Sequence, residues 1–169
     1  MKRLFVLAAV AAVGSYGCGS KTPAAPSNQP TVFTVQLRAQ NEVPATSGPE
    51  ANAAGTAVIT LNTTKDSSGA ITAATADFNV TMTGFPAGST AIMSHIHPGA
   101  AGTSGGILVS TGMAPSNGVA MPNGTGTFSF TNVDVGADKA NQILAAPQNF
   151  YFNVHTTANP GGAIRGQLR

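Results

Sequence analysis

From Val32 onward, apolar and polar residues alternate with a period of two. Phe33, Val35 and Leu37 share one face of "VFTVQL", Ala57, Ile59 and Leu61 one face of "TAVITL", and Ala76, Phe78, Val80 and Met82 one face of "ATADFNVTM". A period of two places alternate side chains on one side of an extended strand. The segments "AIMSHIH", "GILVST", "GTFSFTNV", "NFYFNVHT" and "AIRGQL" extend the series, each bounded by Gly, Pro or Asn. The pattern predicts an all-β domain of about eight short antiparallel strands, built as a sandwich or a barrel. Only residues 137–146, "ADKANQILAA", read as a short helix or helical turn, and 114–126, rich in Asn, Pro and Gly, reads as a surface loop.

The first 31 residues follow other rules. "MKR" precedes the ten-residue apolar run "LFVLAAVAAV", which is too short to span a bilayer and has the length of an export-signal core. Residues 1–17 are therefore expected to be a signal peptide. "GSYGC" resembles the lipobox of bacterial lipoproteins, although Ser15 and Tyr16 depart from its usual residues, and the resemblance implies lipidation at Cys18. Residues 18–31, with three prolines among small polar residues, read as a tether to the membrane, leaving 32–169 as the domain. The protein is thus expected to be an extracytoplasmic, membrane-anchored lipoprotein, periplasmic or at the cell surface, or otherwise secreted. With one cysteine, no disulfide can form within the chain.

Composition narrows the partners. Of 169 residues, 42% are hydrophobic and only 8% charged, so the chain can bury a core. The formal charge of +2 depends on Lys2 and Arg3; without them six basic residues balance six acidic ones. No clustered positive field is present for nucleic acid, so none is expected as a partner.

In so uncharged a chain the three histidines stand out. Along a strand, His95 and His97 share one face, about 6.6 Å apart, while His155 goes with Tyr151 and Asn153 on the more polar face of its strand or at its end. Three neutral imidazoles could hold zinc or copper with a position left open. Alternatively the rings cap strand ends by donating to carbonyls of the glycine loops that follow. Met93 shares the phase of His95 and His97 and is a minor further candidate for copper. "PGAAGTSGG" lacks the lysine and the following helix of a phosphate loop, and no Gly-x-Ser-x-Gly elbow is present.

Three segments taken in order, "LRAQNEVPATSGPEANAAGTAVITL", "SHIHPGAAGTSGGILV" and "FYFNVHTTANPGGAIRGQL", resemble the successive signatures of the CHRD domain, the module repeated in chordin and found singly in secreted microbial proteins. The resemblance runs from about Val32 to Leu168. It implies an extracytoplasmic Greek-key or immunoglobulin-like β-sandwich or related barrel, and no defined catalytic activity. The positions that match include Asn41, Glu42, Val43 and Pro44, then His95 and His97, then Asn153, His155, Arg165 and Gly166. Glu42 and Arg165 are expected to form a structural ion pair between the first and last segments, with Glu42 as a fourth, oxygen ligand the alternative. Three functions follow from these readings: a binding module for an extracellular protein, glycan or ion; a zinc or copper protein using His95, His97 and His155; or a metalloenzyme similar to superoxide dismutase. The binding module leads, because no catalytic residue is evident beside the histidines.

Overall fold

Alternation becomes strands wherever it persists. The computed structural model describes residues 28–169, so the expected signal peptide, Cys18 and most of the tether lie outside the described residues. Nine strands are found among them: β1 (Thr31–Arg38), β2 (Ala54–Lys65), β3 (Ile71–Thr83), β4 (Ser89–Pro98), β5 (Val109–Ser110), β6 (Val119–Met121), β7 (Gly126–Asp134), β8 (Phe150–Thr156) and β9 (Ile164–Gln167). One helix, α1 (Ala137–Ala145), falls where the sequence predicts it and buries Ala140 and Ile143, one turn apart.

All pairings are antiparallel, in the order β5-β4-β8-β9-β1-β2-β3-β7, with β6 beside β5 on the same edge of β4. The sheet curls on itself. Phe78 of β3 and Phe152 of β8, four strands apart in this order, stack with ring centroids 5.6 Å apart. At the two ends, the short turn from β6 to β7 brings Gly126 against the side chains of Met121 and Met82. The result is a nearly closed barrel-like sheet, so the sandwich-or-barrel prediction is met on its barrel side. Inside lie Val35, Leu37, Ile59, Phe78, Val80, Ile96, Phe152 and Val154.

The sheet has a seam. β1 runs in register with β2 over eight residue pairs, but β9 meets β1 at one pair only, Arg38 opposite Arg165. That pair joins the β4-β8-β9 half to the β1-β2-β3-β7 half.

Two local readings are corrected. The segment 114–126 is not all loop, because Val119–Met121 pairs with β4 and Met121 is completely buried. Conversely "GILVST" yields only two strand residues, since the glycines before it lead an irregular loop in which Ile107 points to solvent. β8 departs furthest from alternation: all seven of its residues are buried. Phe152 and Val154 enter the core, while the outer face, with Tyr151, Asn153 and His155, is covered by residues 39–50 and by the glycine loop between β4 and β5.

Candidate metal centre

Strand register decides which outer side chains meet. Across β4, β8 and β9 one row reads His95, Asn153, Arg165 and the next His97, Tyr151, Gln167, while Met93 lies opposite His155. The three histidines thus converge from two adjacent strands, although 60 residues separate His95 from His155. One ring nitrogen from each lies within 4.8 Å of the others. His95 Nδ1 is 3.2 Å from His155 Nε2.

Backbone carbonyls fix two of the rings. His97 Nδ1–H donates to the Gly105 carbonyl at 3.0 Å, and His155 Nδ1–H donates to the Pro160 carbonyl at 2.9 Å. A carbonyl can only accept, so in the neutral rings the proton resides on Nδ1 and both Nε2 atoms are acceptors, that of His155 accepting from the proton-bearing Nδ1 of His95. His97 Nε2 is buried without any hydrogen-bond partner. His155 Nε2 faces Asn153 Oδ1 at 3.1 Å, two acceptors in contact unless the carboxamide turns its NH2 inward or a cation lies between them.

The electrostatics keep the rings neutral. Burial depresses the pKa of His95 to about 4, helped by the neighbouring His155 and His97. Burial also lowers His97, against the opposing hydrogen bond to Gly105, and lowers His155, against the bond to Pro160. Neutral imidazole is the form that ligates metal.

Loops hold this arrangement. The glycine loop turns back so tightly that a Cβ on Gly105 would collide with the Pro98 carbonyl, and the Gly105 N–H donates to the Tyr151 hydroxyl at 3.4 Å. Tyr151 stacks on His97 with rings 7° from parallel and centroids 5.0 Å apart; the Arg165 Cζ lies 3.9 Å from its ring centroid. Since β4 and β9 flank β8, the tyrosine is held between imidazole and guanidinium. On the other side, Glu50 Oε2 accepts from Thr156 Oγ1 and Asn159 Nδ2, both at 2.6 Å, and so fastens the turn that carries Pro160.

Glu42 does not join the cluster as a fourth ligand. The potential ligand group is the three histidines alone, and Glu42 reaches them only through Asn153. Nor is a direct Glu42–Arg165 ion pair found among the described residues: Arg165 Nη2 donates instead to the Thr103 carbonyl at 2.9 Å, and its face covers Tyr151. The guanidinium acts on Glu42 through its field. Burial lifts the Glu42 pKa to about 7, outweighing the lowering by Arg165 and by the Asn153 hydrogen bond. Sequence reasoning placed Asn153 on the His155 face and among the matching positions without giving it a role, and it missed Glu50, because a lone acid after proline carries no signal of what it will contact.

A comparison with known families decides the kinship: the family model of the CHRD domain matches residues 33–168. The chain belongs to the CHRD domain family. No curated protein and no solved structure matches it. The match takes in all three histidines, so the cluster is built within the CHRD domain itself and not by an appended segment. The CHRD domain supports a binding-module reading.

Proposed function

We propose that this CHRD domain is an extracytoplasmic binding module, held at a membrane through lipidated Cys18 and the tether to residue 31, and that it binds a zinc or copper ion on His95, His97 and His155. One observation carries the reading: three neutral imidazoles converge with ligand nitrogens within 4.8 Å of one another. The donor set fits such an ion. Tetrahedral ligands about 2.05 Å from zinc stand about 3.3 Å apart, close to the 3.2 Å between His95 and His155 nitrogens, so the main adjustment falls to His97. A bound cation would take up the orphaned His97 lone pair, and the carbonyls of Gly105 and Pro160 are the outer partners that orient ligand imidazoles. Three histidines leave a coordination position open, and the ion would supply Lewis acidity there. Binding is preferred over superoxide-dismutase-like chemistry because, among the described residues, three imidazoles alone come together, with no Asp, Glu or further His joining them as an additional or bridging ligand.

Metal analysis of untagged protein, loaded with zinc or copper and then desalted, tests this directly. One ion per chain is expected, lost in a His95→Ala/His97→Ala variant whose circular dichroism and cooperative melting persist. Loaded wild-type protein that retains no metal overturns the reading. Replacing Gly105 with Ala gives a second expectation, because it displaces the carbonyl that orients His97 without touching a ligand. Metal affinity is expected to fall about 10–100-fold. Unchanged affinity in a competition titration would show that the loop does not orient the site.

A further inference from the structure

Beside the histidine layer, the outer faces of β1 and β9 and the residues after β1 enclose a cavity of about 350 Å³. In a chain with so few charges it has an unusually polar wall: Gln40, Asn41, Gln167, Glu42, Arg165 and Arg169.

The amides are not free to turn. Gln40 Nε2 donates to the Ala51 carbonyl, Asn41 Nδ2 to the Arg165 carbonyl at 3.0 Å, and Gln167 Nε2 to the carbonyls of Gly99 and Gln148, both at 2.9 Å. Carbonyls cannot donate, so these bonds fix which end of each amide is which. Three carboxamide oxygens remain, and no donor from the described residues reaches them. Gln40 and Asn41 are exposed and Gln167 is half-buried, so amide oxygens fixed in this way stand ready to accept from the hydroxyl groups of a ligand in the cavity.

The charges add a second requirement. The side chains of the wall bring two guanidiniums and one carboxylate to the cavity. Arg165 is 1% exposed and its Nε has no partner, an unsatisfied donor on a buried cation. A guanidinium selects a carboxylate or another planar oxyanion. The volume is at the lower end for small-molecule sites and suits about one sugar ring.

We propose that this cavity binds one acidic sugar residue, a carboxylated polyol of the uronate class, with its hydroxyls on the oxygens of Gln40, Asn41 and Gln167 and its carboxylate toward Arg165 and Arg169. The site does not depend on the metal reading, since none of the three histidines lines the cavity.

Isothermal titration of the protein with galacturonate and glucuronate, set against galactose and acetate, separates the two requirements. At least one uronate is expected to bind about tenfold or more tighter than galactose, which lacks the carboxylate, and than acetate, which lacks the hydroxyls. Arg169→Gln and Gln40→Leu, both at exposed side chains, are each expected to weaken uronate binding about fivefold or more. A chelator is expected to leave the titration unchanged, so that failure of the metal site and failure of this site are read separately. A trisaccharide of the same uronate that binds as well as the monomer identifies the end of a glycan as the source, and its exclusion identifies free sugar acid. Galactose or acetate binding as tightly as both uronates, no uronate binding at about 50 mM, far weaker than an ordinary specific site, or indifference to both substitutions would overturn the proposal.

Discussion

Replacing Gly166 with Ala is expected to destabilise the protein by about 3 kcal/mol, the upper end for forcing extra volume into a packed site. Gly166 lies on β9 at the seam, one residue from the single pair that joins β9 to β1. A Cβ there would collide with the Gln36 carbonyl oxygen and would stand 2.8 Å from Val35 Cγ1 and 2.9 Å from the Gln36 carbonyl carbon. These are mostly backbone atoms of an adjacent strand, so no side-chain rotation relieves the clash. β9 must move away from β1, and with it go the Asn41 bond to the Arg165 carbonyl and the burial of Ile164 and Leu168. Gly161→Ala is the matched control. Nothing lies within 4 Å of a Cβ at that position, and a change within about 0.5 kcal/mol is expected. Urea melts of the two variants make the comparison. Equal midpoints would mean that the seam yields more easily than its backbone contacts imply.

The alternating part of the chain announced its own structure. Phe33, Val35 and Leu37, and likewise Ala76, Phe78, Val80 and Met82, are buried at every position the period selects, because each of those strands has one covered face. Where a strand is covered on both faces, periodicity says less. In β8 the phase placed His155 with Tyr151 and Asn153, as found, yet not that loops would bury that face as deeply as the core. β6 escaped because three residues between Gly118 and Pro122 are too few to display a period; only the buried Met121 betrays them. The histidine cluster was half legible. His95 and His97 declare a shared face by spacing, whereas their meeting with His155 depends on β4 lying next to β8, a long-range pairing that nothing local encodes. The same limit hid Glu50, which finds Thr156 and Asn159 more than 100 residues away. It also misdirected Arg165, whose charge suggested Glu42 while the fold offered a carbonyl and an aromatic face.

Those buried groups also set the response to pH, and the second large effect is a change in its shape. In metal-free protein His95 has an ordinary value of 6.5 when unfolded and about 4 when folded. Between those values the unfolded chain holds a proton the native state refuses, so stability falls as pH drops from about 6.5 towards 4. At 1.36 kcal/mol per pH unit this reaches at most about 3 kcal/mol, and His97 and His155 act in the same direction. Glu42 acts in the opposite direction. Its folded value of about 7 against 4.5 means that the native state keeps a proton the unfolded chain has lost, so stability falls as pH rises from 4.5 to 7, again by at most about 3 kcal/mol. The two windows overlap from 4.5 to 6.5, where Glu42 offsets His95 and leaves only the slope due to His97 and His155. Glu42→Gln removes the opposing limb. Its stability, from urea midpoints with chelator present, is expected to climb by up to about 3 kcal/mol more than wild type between pH 4.5 and 7. Zinc should then steepen the climb in both proteins, since protons and metal compete for the same nitrogens. Parallel metal-free profiles for wild type and Glu42→Gln would mean that water reaches the carboxylate and that the polar layer between β8 and its covering loops is wetter than its burial implies.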